Sequence, residues 1–227
     1  FHKDDLEELM KLEIDFAFQP IFRASDMSIG AYEALMRPKG QSPLELIEAY
    51  QKLNKLFVIE LATCFGATLA FKKRGYTNTL CINSFPSEFM NEGQSRLYGR
   101  YFPELVGKVI VEIVEYTKLD RDKWISKKED IDRHSTRIAL DDFSTGQNNM
   151  EALEYVQPQY AKLDRSLICN IHNDSDKQEK VSSLIREFHS RGVKVVAEGI
   201  ETKEELDYLK AYTKVDYFQG YYLGMPT

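Results

Sequence analysis

The sequence predicts an α/β fold, and at 227 residues one (β/α)8 barrel accounts for the whole chain. Three observations carry this reading. Short apolar or alternating runs recur about eight times along the chain, as strands do. Longer stretches with helical spacing separate most of them, which favours a parallel sheet covered by helices. No linker, low-complexity stretch or clear repeat interrupts the alternation, so residues 1–227 read as a single domain. A doubly wound open sheet is the alternative architecture.

The elements follow in order. Phe16 to Phe22 and Ile29 to Met36 are the first two strands. Pro43 to Lys55 and Val58 to Arg74 have helical spacing, and Gly75 ends the second. Thr79 to Asn83 is a strand that closes on a polar residue, and Val109 to Ile113 is the next. Residues 117–135, dense in charge, are the least regular part. Ile138 to Asp142 is a strand, followed by helical spacing around Met150 to Tyr155. Tyr160 to Asp164 is a strand, Asp176 to Arg191 a helix ended by Gly192, and Val193 to Ala197 a strand. Lys203 to Ala211 is a helix, and Tyr217 to Gln219 a last short strand.

Composition narrows the function classes. Apolar residues make up 43% and charged residues 29%, and no apolar run approaches the length of a membrane helix. The net charge of −6 comes without a dense Lys/Arg block, which argues against a DNA or RNA partner. Lys127-Lys128 and Lys72-Lys73-Arg74 read as solvated patches. Cys64, Cys81 and Cys169 are far apart, so neither a disulfide framework nor a thiolate zinc site is expected, and a reducing cytoplasm fits. The four histidines show no ligand spacing, so any metal must be held mainly by oxygen, which suits Mg or Mn. The first residue is Phe1 and no signal-peptide pattern follows, so a piece of a longer protein is expected.

The strand ends carry the chemistry. Asp141 and Asp142 close an apolar run, where two like charges repel and each loses hydration. A cation ligated by both removes both costs. The other strands end in the same kind of group: Glu33, Asn83, Glu112, Lys162 with Asp164, Glu198 and Gln219. In a barrel these ends converge on one face, where active sites sit. Carboxylates and an amide oxygen make an all-oxygen site for hard divalent cations. Two such ions can clamp both oxygens of an in-line displacement, with a lysine to balance charge. That combination suits phosphodiester hydrolysis.

At these residues the chain resembles the EAL-domain family of cyclic di-GMP phosphodiesterases. The motifs are Phe18-Gln19-Pro20-Ile21, Glu33-Ala34-Leu35 with Arg37, Glu112-Ile113-Val114-Glu115, Leu140-Asp141-Asp142-Phe143, Lys162-Leu163-Asp164-Arg165-Ser166, Ala197-Glu198-Gly199-Ile200-Glu201-Thr202 and Gln219-Gly220-Tyr221-Tyr222. The resemblance implies a TIM-like barrel whose first strand runs antiparallel to the rest. It implies two Mg or Mn ions and cleavage of cyclic di-GMP to the linear dinucleotide pGpG. Glu33, Asn83, Glu112 and Asp141 would hold one ion. Asp141, as a bridge, and Asp142 would hold the second, with Glu198 at or near it. Lys162 would contact the attacking water and Glu198 is the candidate base. Gln19, Arg37, Asp164 and Gln219 would face the substrate, Gln219 on the side of the second ion. Glu115 would anchor the loop after Asp142, a link that implies a homodimer. Sensory or GGDEF domains are expected elsewhere in the full-length protein.

The chain departs from the family at Ser144, where a glycine is usual after Asp-Asp-Phe, and at Gln147-Asn148-Asn149. These changes lie beside the expected ligands in the sequence and replace none of them. A receptor that holds the nucleotide without cleaving it is the competing class, motivated by Ser144. A barrel lyase of the enolase type would use the same residue types, but it leaves the ordered motifs unexplained.

Overall fold

The computed structural model describes residues 3–113, 121–143 and 147–227. Eight strands follow one another around a closed barrel in the order β1 to β8. They are β1 (Ile14–Arg23), β2 (Ile29–Pro38), β3 (Thr79–Ser84), β4 (Val109–Ile113), β5 (Arg137–Phe143), β6 (Tyr160–Leu163), β7 (Lys194–Ala197) and β8 (Tyr217–Phe218). β1 pairs antiparallel with β8, whereas β3 with β4 and each neighbouring pair from β5 to β8 are parallel. The expected barrel with its reversed first strand is therefore the observed one. The chain also divides into two compact units, Phe1–Phe18 with Glu33–Thr136, and Gln19–Tyr32 with Arg137–Thr227.

The first unit carries α1 (Lys3–Lys11), α2 (Pro43–Lys52), α3 (Leu56–Lys73), α4 (Glu92–Tyr101) and α5 (Arg121–Arg133). α2 starts where the sequence says it should. Ser42 caps Glu45 N–H, the Glu45 carboxylate returns to the Ser42 N–H, and Pro43 fills the first turn. α3 is apolar on nearly all sides and buried accordingly. Leu56 and Ile59 pack with Leu46, Ile47 and Phe85, while Phe71 meets Phe18 at 5.7 Å and Tyr76 at 5.4 Å. The strands β3 and β4 read as continuous apolar runs because both faces are covered.

The charged stretch expected to be irregular is largely the regular helix α5. Its apolar stripe is thin: Trp124 and Ile131, with Lys127 between them on the same face, are the buried residues. The abundance of charge hid that stripe. α4 was missed for a related reason, since Gly93 and Gly99 depress helix propensity. Asn91 and Gln94 offset this by forming a capping box.

The second unit carries α6 (Gln147–Val156), α7 (Arg165–Ile168), α8 (Ser175–Ser190) and α9 (Lys203–Tyr212). Phe143 at the end of β5 packs edge-on against Phe188 of α8 at 4.9 Å. α9 begins with a third capping box, Thr202 with Glu205. Glu205 does more than cap. Its two oxygens accept from Asn170 N–H at 2.9 Å, Glu201 N–H at 2.9 Å and Thr202 N–H at 3.2 Å. Burial pushes its pKa up, but those three amide bonds together outweigh burial and hold it below the ordinary 4.5. The resulting stability is present above that ordinary value and is lost as pH falls through the lower folded one. Glu205→Gln should cost about 2 kcal/mol at neutral pH and flatten the acid limb of the stability profile. Urea melts of both proteins between neutral and acid pH check this.

Among the described residues, no helix is long and apolar enough to cross a membrane.

Candidate active site

In the first unit, β2, β3 and β4 each present one of the expected ligands. Glu33 is buried in β2, Glu112 is 1% exposed in β4, and Asn83 stands between them near the end of β3. The parallel register places Asn83 directly beside Glu112. Asn83 Nδ2 donates to Glu33 Oε1 at 3.2 Å, which turns the amide oxygen away and leaves it for another partner. Arg37 follows Glu33 at the period of two that keeps residues on one strand face. Its guanidinium is exposed and Nη1 donates to Met36 O at 2.9 Å.

In the second unit, β5 ends in the aspartate pair. Neighbours on a regular strand point to opposite faces, and two acids pointing apart would make a poor grip. β5 avoids this. Leu140 pairs with Ala161 but Phe143 pairs with Leu163, so β5 carries one extra residue here, a β-bulge. Asp142 sits in the bulge at φ +49°, a left-handed conformation that aspartate tolerates better than most residues. The bulge turns both carboxylates to one side. One oxygen each from Asp141, Asp142 and Glu198 lies within 4.8 Å of the others.

Lys162 enters this acid cluster from β6. It is 1% exposed, and its Nζ lies 3.0 Å from Asp141 Oδ1 and 2.7 Å from Glu198 Oε1. Asp164, two residues on from Lys162, takes another role. Asp164 Oδ1 instead accepts from Ser166 N–H at 2.8 Å and caps α7. Glu198 is held at the end of β7 by its N–H bond to Leu163 O at 3.1 Å. The turn behind it needs two glycines. Gly199 has φ +66°, and a side chain there would strike Arg165, while a Cβ on Gly220 would lie 2.1 Å from Ile200 O. Gln219 and Gln19 are both buried. Gln219 Nε2 donates to Gln19 Oε1 at 3.1 Å, and Gln19 Nε2 donates to Gly224 O at 3.1 Å.

The second unit's group fits a divalent cation. Asp141, Asp142 and Glu198 against Lys162 leave two negative charges in excess. Asp141 Oδ1 is buried and, among the described residues, accepts no well-aligned hydrogen bond. A hard cation ligated by oxygen answers both features. Glu115 and Ser144 lie outside the described residues.

With that arrangement in hand, comparison with known families is decisive. The EAL-domain family model matches residues 3–226. The chain belongs to the EAL-domain family. Cyclic di-GMP phosphodiesterase TpdA of Vibrio parahaemolyticus is 28% identical over 214 residues, covering 91% of this chain and 36% of the relative. This EAL domain thus spans little more than a third of that relative's length. Its structure is similar to that of a standalone versatile EAL protein from Vibrio cholerae O395 in a c-di-GMP-bound form. The TM-score is 0.82 at 25% identity, covering 95% of this chain and 93% of the other. It is also similar to Klebsiella pneumoniae BlrP1 in a manganese and cyclic di-GMP complex. There the TM-score is 0.77 at 27% identity, covering 94% of this chain and 56% of the other.

Two polar groups of this EAL domain escaped the sequence reading. Arg165 spans the loop after Glu198, donating to Gly199 O at 2.7 Å and pairing with Glu201 at 2.8 Å. Lys127, expected to be solvated, is 3% exposed and ion-paired with Glu60 at 2.9 Å. Its spacing from Trp124 and Ile131, three and four residues away, was the available signal.

Proposed function

We propose that this EAL domain hydrolyses cyclic di-GMP to linear pGpG with Mg or Mn as cofactor. The observation that carries the reading is the Asp141, Asp142 and Glu198 cluster around a buried lysine, in a chain matched by the EAL-domain model. Glu33, Asn83, Glu112 and Asp141 would hold one ion, and Asp141, Asp142 and Glu198 a second. Bound divalent ions supply charge neutralisation at the phosphodiester and lower the pKa of water.

The chain's own residues do the rest. Lys162 would hold the attacking water by donating to its oxygen. Glu198, 2.7 Å from Lys162 Nζ, would take the water's proton. The water oxygen would bond to phosphorus as the bond to the 3′ oxygen breaks, and that oxygen would take up a proton from solvent to leave as a hydroxyl. Arg37 would contact a phosphate oxygen through its remaining guanidinium N–H groups. Gln19 and Gln219 would meet the nucleotide from their shared amide pair, and Asp164 with the oxygen its cap does not use. We place the reaction in the cytoplasm, which suits the free thiols Cys64, Cys81 and Cys169, and expect a homodimer.

Turnover should require added Mn or Mg, stop with EDTA, and yield pGpG in chromatography of the products. Nucleotide binding with no product under either ion would overturn hydrolysis and leave a receptor.

A further inference from the structure

We infer that the buried Glu60–Lys127 pair is a positioning device for Asn83. The inference rests on the proposed role of Asn83 as a metal ligand.

The pair is costly to build. Both side chains are almost wholly buried, and taking two ions from water is repaid only with good geometry and further hydrogen bonds. Those further bonds converge on one short piece of chain. Lys127 Nζ donates to Ser84 Oγ at 2.6 Å, to Phe85 O at 2.6 Å and to Glu88 O. Glu60 accepts from Phe85 N–H at 2.9 Å and from the Ser84 hydroxyl. Packing alone would not require this pattern, since an apolar pair would fill the same space. The pair binds both backbone polar groups of Phe85 and the side chain of Ser84.

Ser84 and Phe85 are the two residues immediately after Asn83. Ser84 points to the opposite face of β3 from Asn83. Clamping Ser84 and Phe85 from outside therefore fixes the torsions that aim the Asn83 amide at Glu33 on the inside. Among the described residues the ladder between β3 and β4 runs to Ser84, so the clamp acts where that ladder ends. The clamp arrives on α5, whose Trp124 and Ile131 seat Lys127 in the unit's core. A cavity of about 90 Å³ lies beside the pair, lined in part by Glu60, Ser84 and Lys127.

Three variants test this: Lys127→Met, Lys127→Arg and the double variant Glu60→Gln with Lys127→Met. Mn binding to the free domain is read by electron paramagnetic resonance, and thermal stability by melting. The Asn83 side-chain amide resonance is assigned by its loss in Asn83→Asp. Lys127→Met should weaken Mn binding by about tenfold or more and move that resonance. Lys127→Arg should restore both. The double variant removes both buried charges, so it should regain thermal stability without regaining Mn affinity. That split separates positioning from simple support of the fold.

An unmoved Asn83 resonance in folded Lys127→Met or in the folded double variant overturns the inference, as does Mn affinity that recovers together with stability in the double variant. Should Lys127→Met not fold, the double variant decides. If the unaltered domain binds no Mn, the proposed function fails instead, and the Asn83 resonance alone decides the inference.

Discussion

Replacing Asp141 with asparagine is expected to abolish cyclic di-GMP turnover while raising the melting temperature of the metal-free protein. The two effects share one cause. Without an ion, Asp141, Asp142 and Glu198 repel one another around a single ammonium, and Lys162 lies closer to Glu198 than to Asp141. Asparagine removes one excess charge and keeps the shape, and Lys162 keeps its nearer partner. Relief of about 1 kcal/mol should raise the melting temperature by about 2–4 °C for a protein of this size. The same substitution removes the ligand proposed to serve both ions, so added Mn should stabilise the parent domain and not the variant. Melting curves with and without Mn, beside chromatography of the nucleotide products, read both halves. Product formation by the variant within tenfold of the parent's rate would sink the bridging role.

Lys162→Met should act with the opposite sign on stability. Methionine matches the length of the lysine stem but leaves the half-buried Asp141 and Glu198 together without the buried ammonium between them. Breaking a buried pair by removing one partner costs about 3–5 kcal/mol, which corresponds to about 6–20 °C in melting temperature. Added Mn should restore part of that loss, because a cation can replace the missing positive charge. Turnover should nevertheless stay about 10²–10⁴-fold below the parent, the usual scale for a group that manages a proton in the transition state. Stability in the metal-free variant equal to that of the parent would show that Lys162 is not the counter-charge of this cluster.

Much of the fold was legible because the strands obey one rule. Runs such as Leu80 to Ile82 and Tyr160 to Leu163 are covered on both faces, so they read as short continuous apolar segments. Helical spacing marked α2 and α9, and the structure starts each with a capping box, at Ser42 and at Thr202. α5 was not legible, because a helix that buries only Trp124, Lys127 and Ile131 among its described face has too little apolar periodicity to register. The strand-end acids were legible as a set, since nearly every strand closes on one. Their grouping was not. Nothing in the residue order says that Lys162 meets Asp141 and Glu198, or that Asp164 turns away to cap α7. Partner choice of that kind depends on strand register and on turn geometry, which only the folded chain expresses. The Glu60–Lys127 pair shows the same limit, since its members are 67 positions apart.

The extra residue in β5 has an evolutionary corollary. The convergence of the Asp141 and Asp142 carboxylates depends on backbone shape as well as on the two side chains. A relative could inherit every acid and amide of the signature, straighten this one strand end, and fall silent. Another could lose catalysis and regain it by loop changes alone, with its ligands untouched. Gene catalogues that score such domains by the presence of their acids would record neither event, because the inherited variable is a torsion angle.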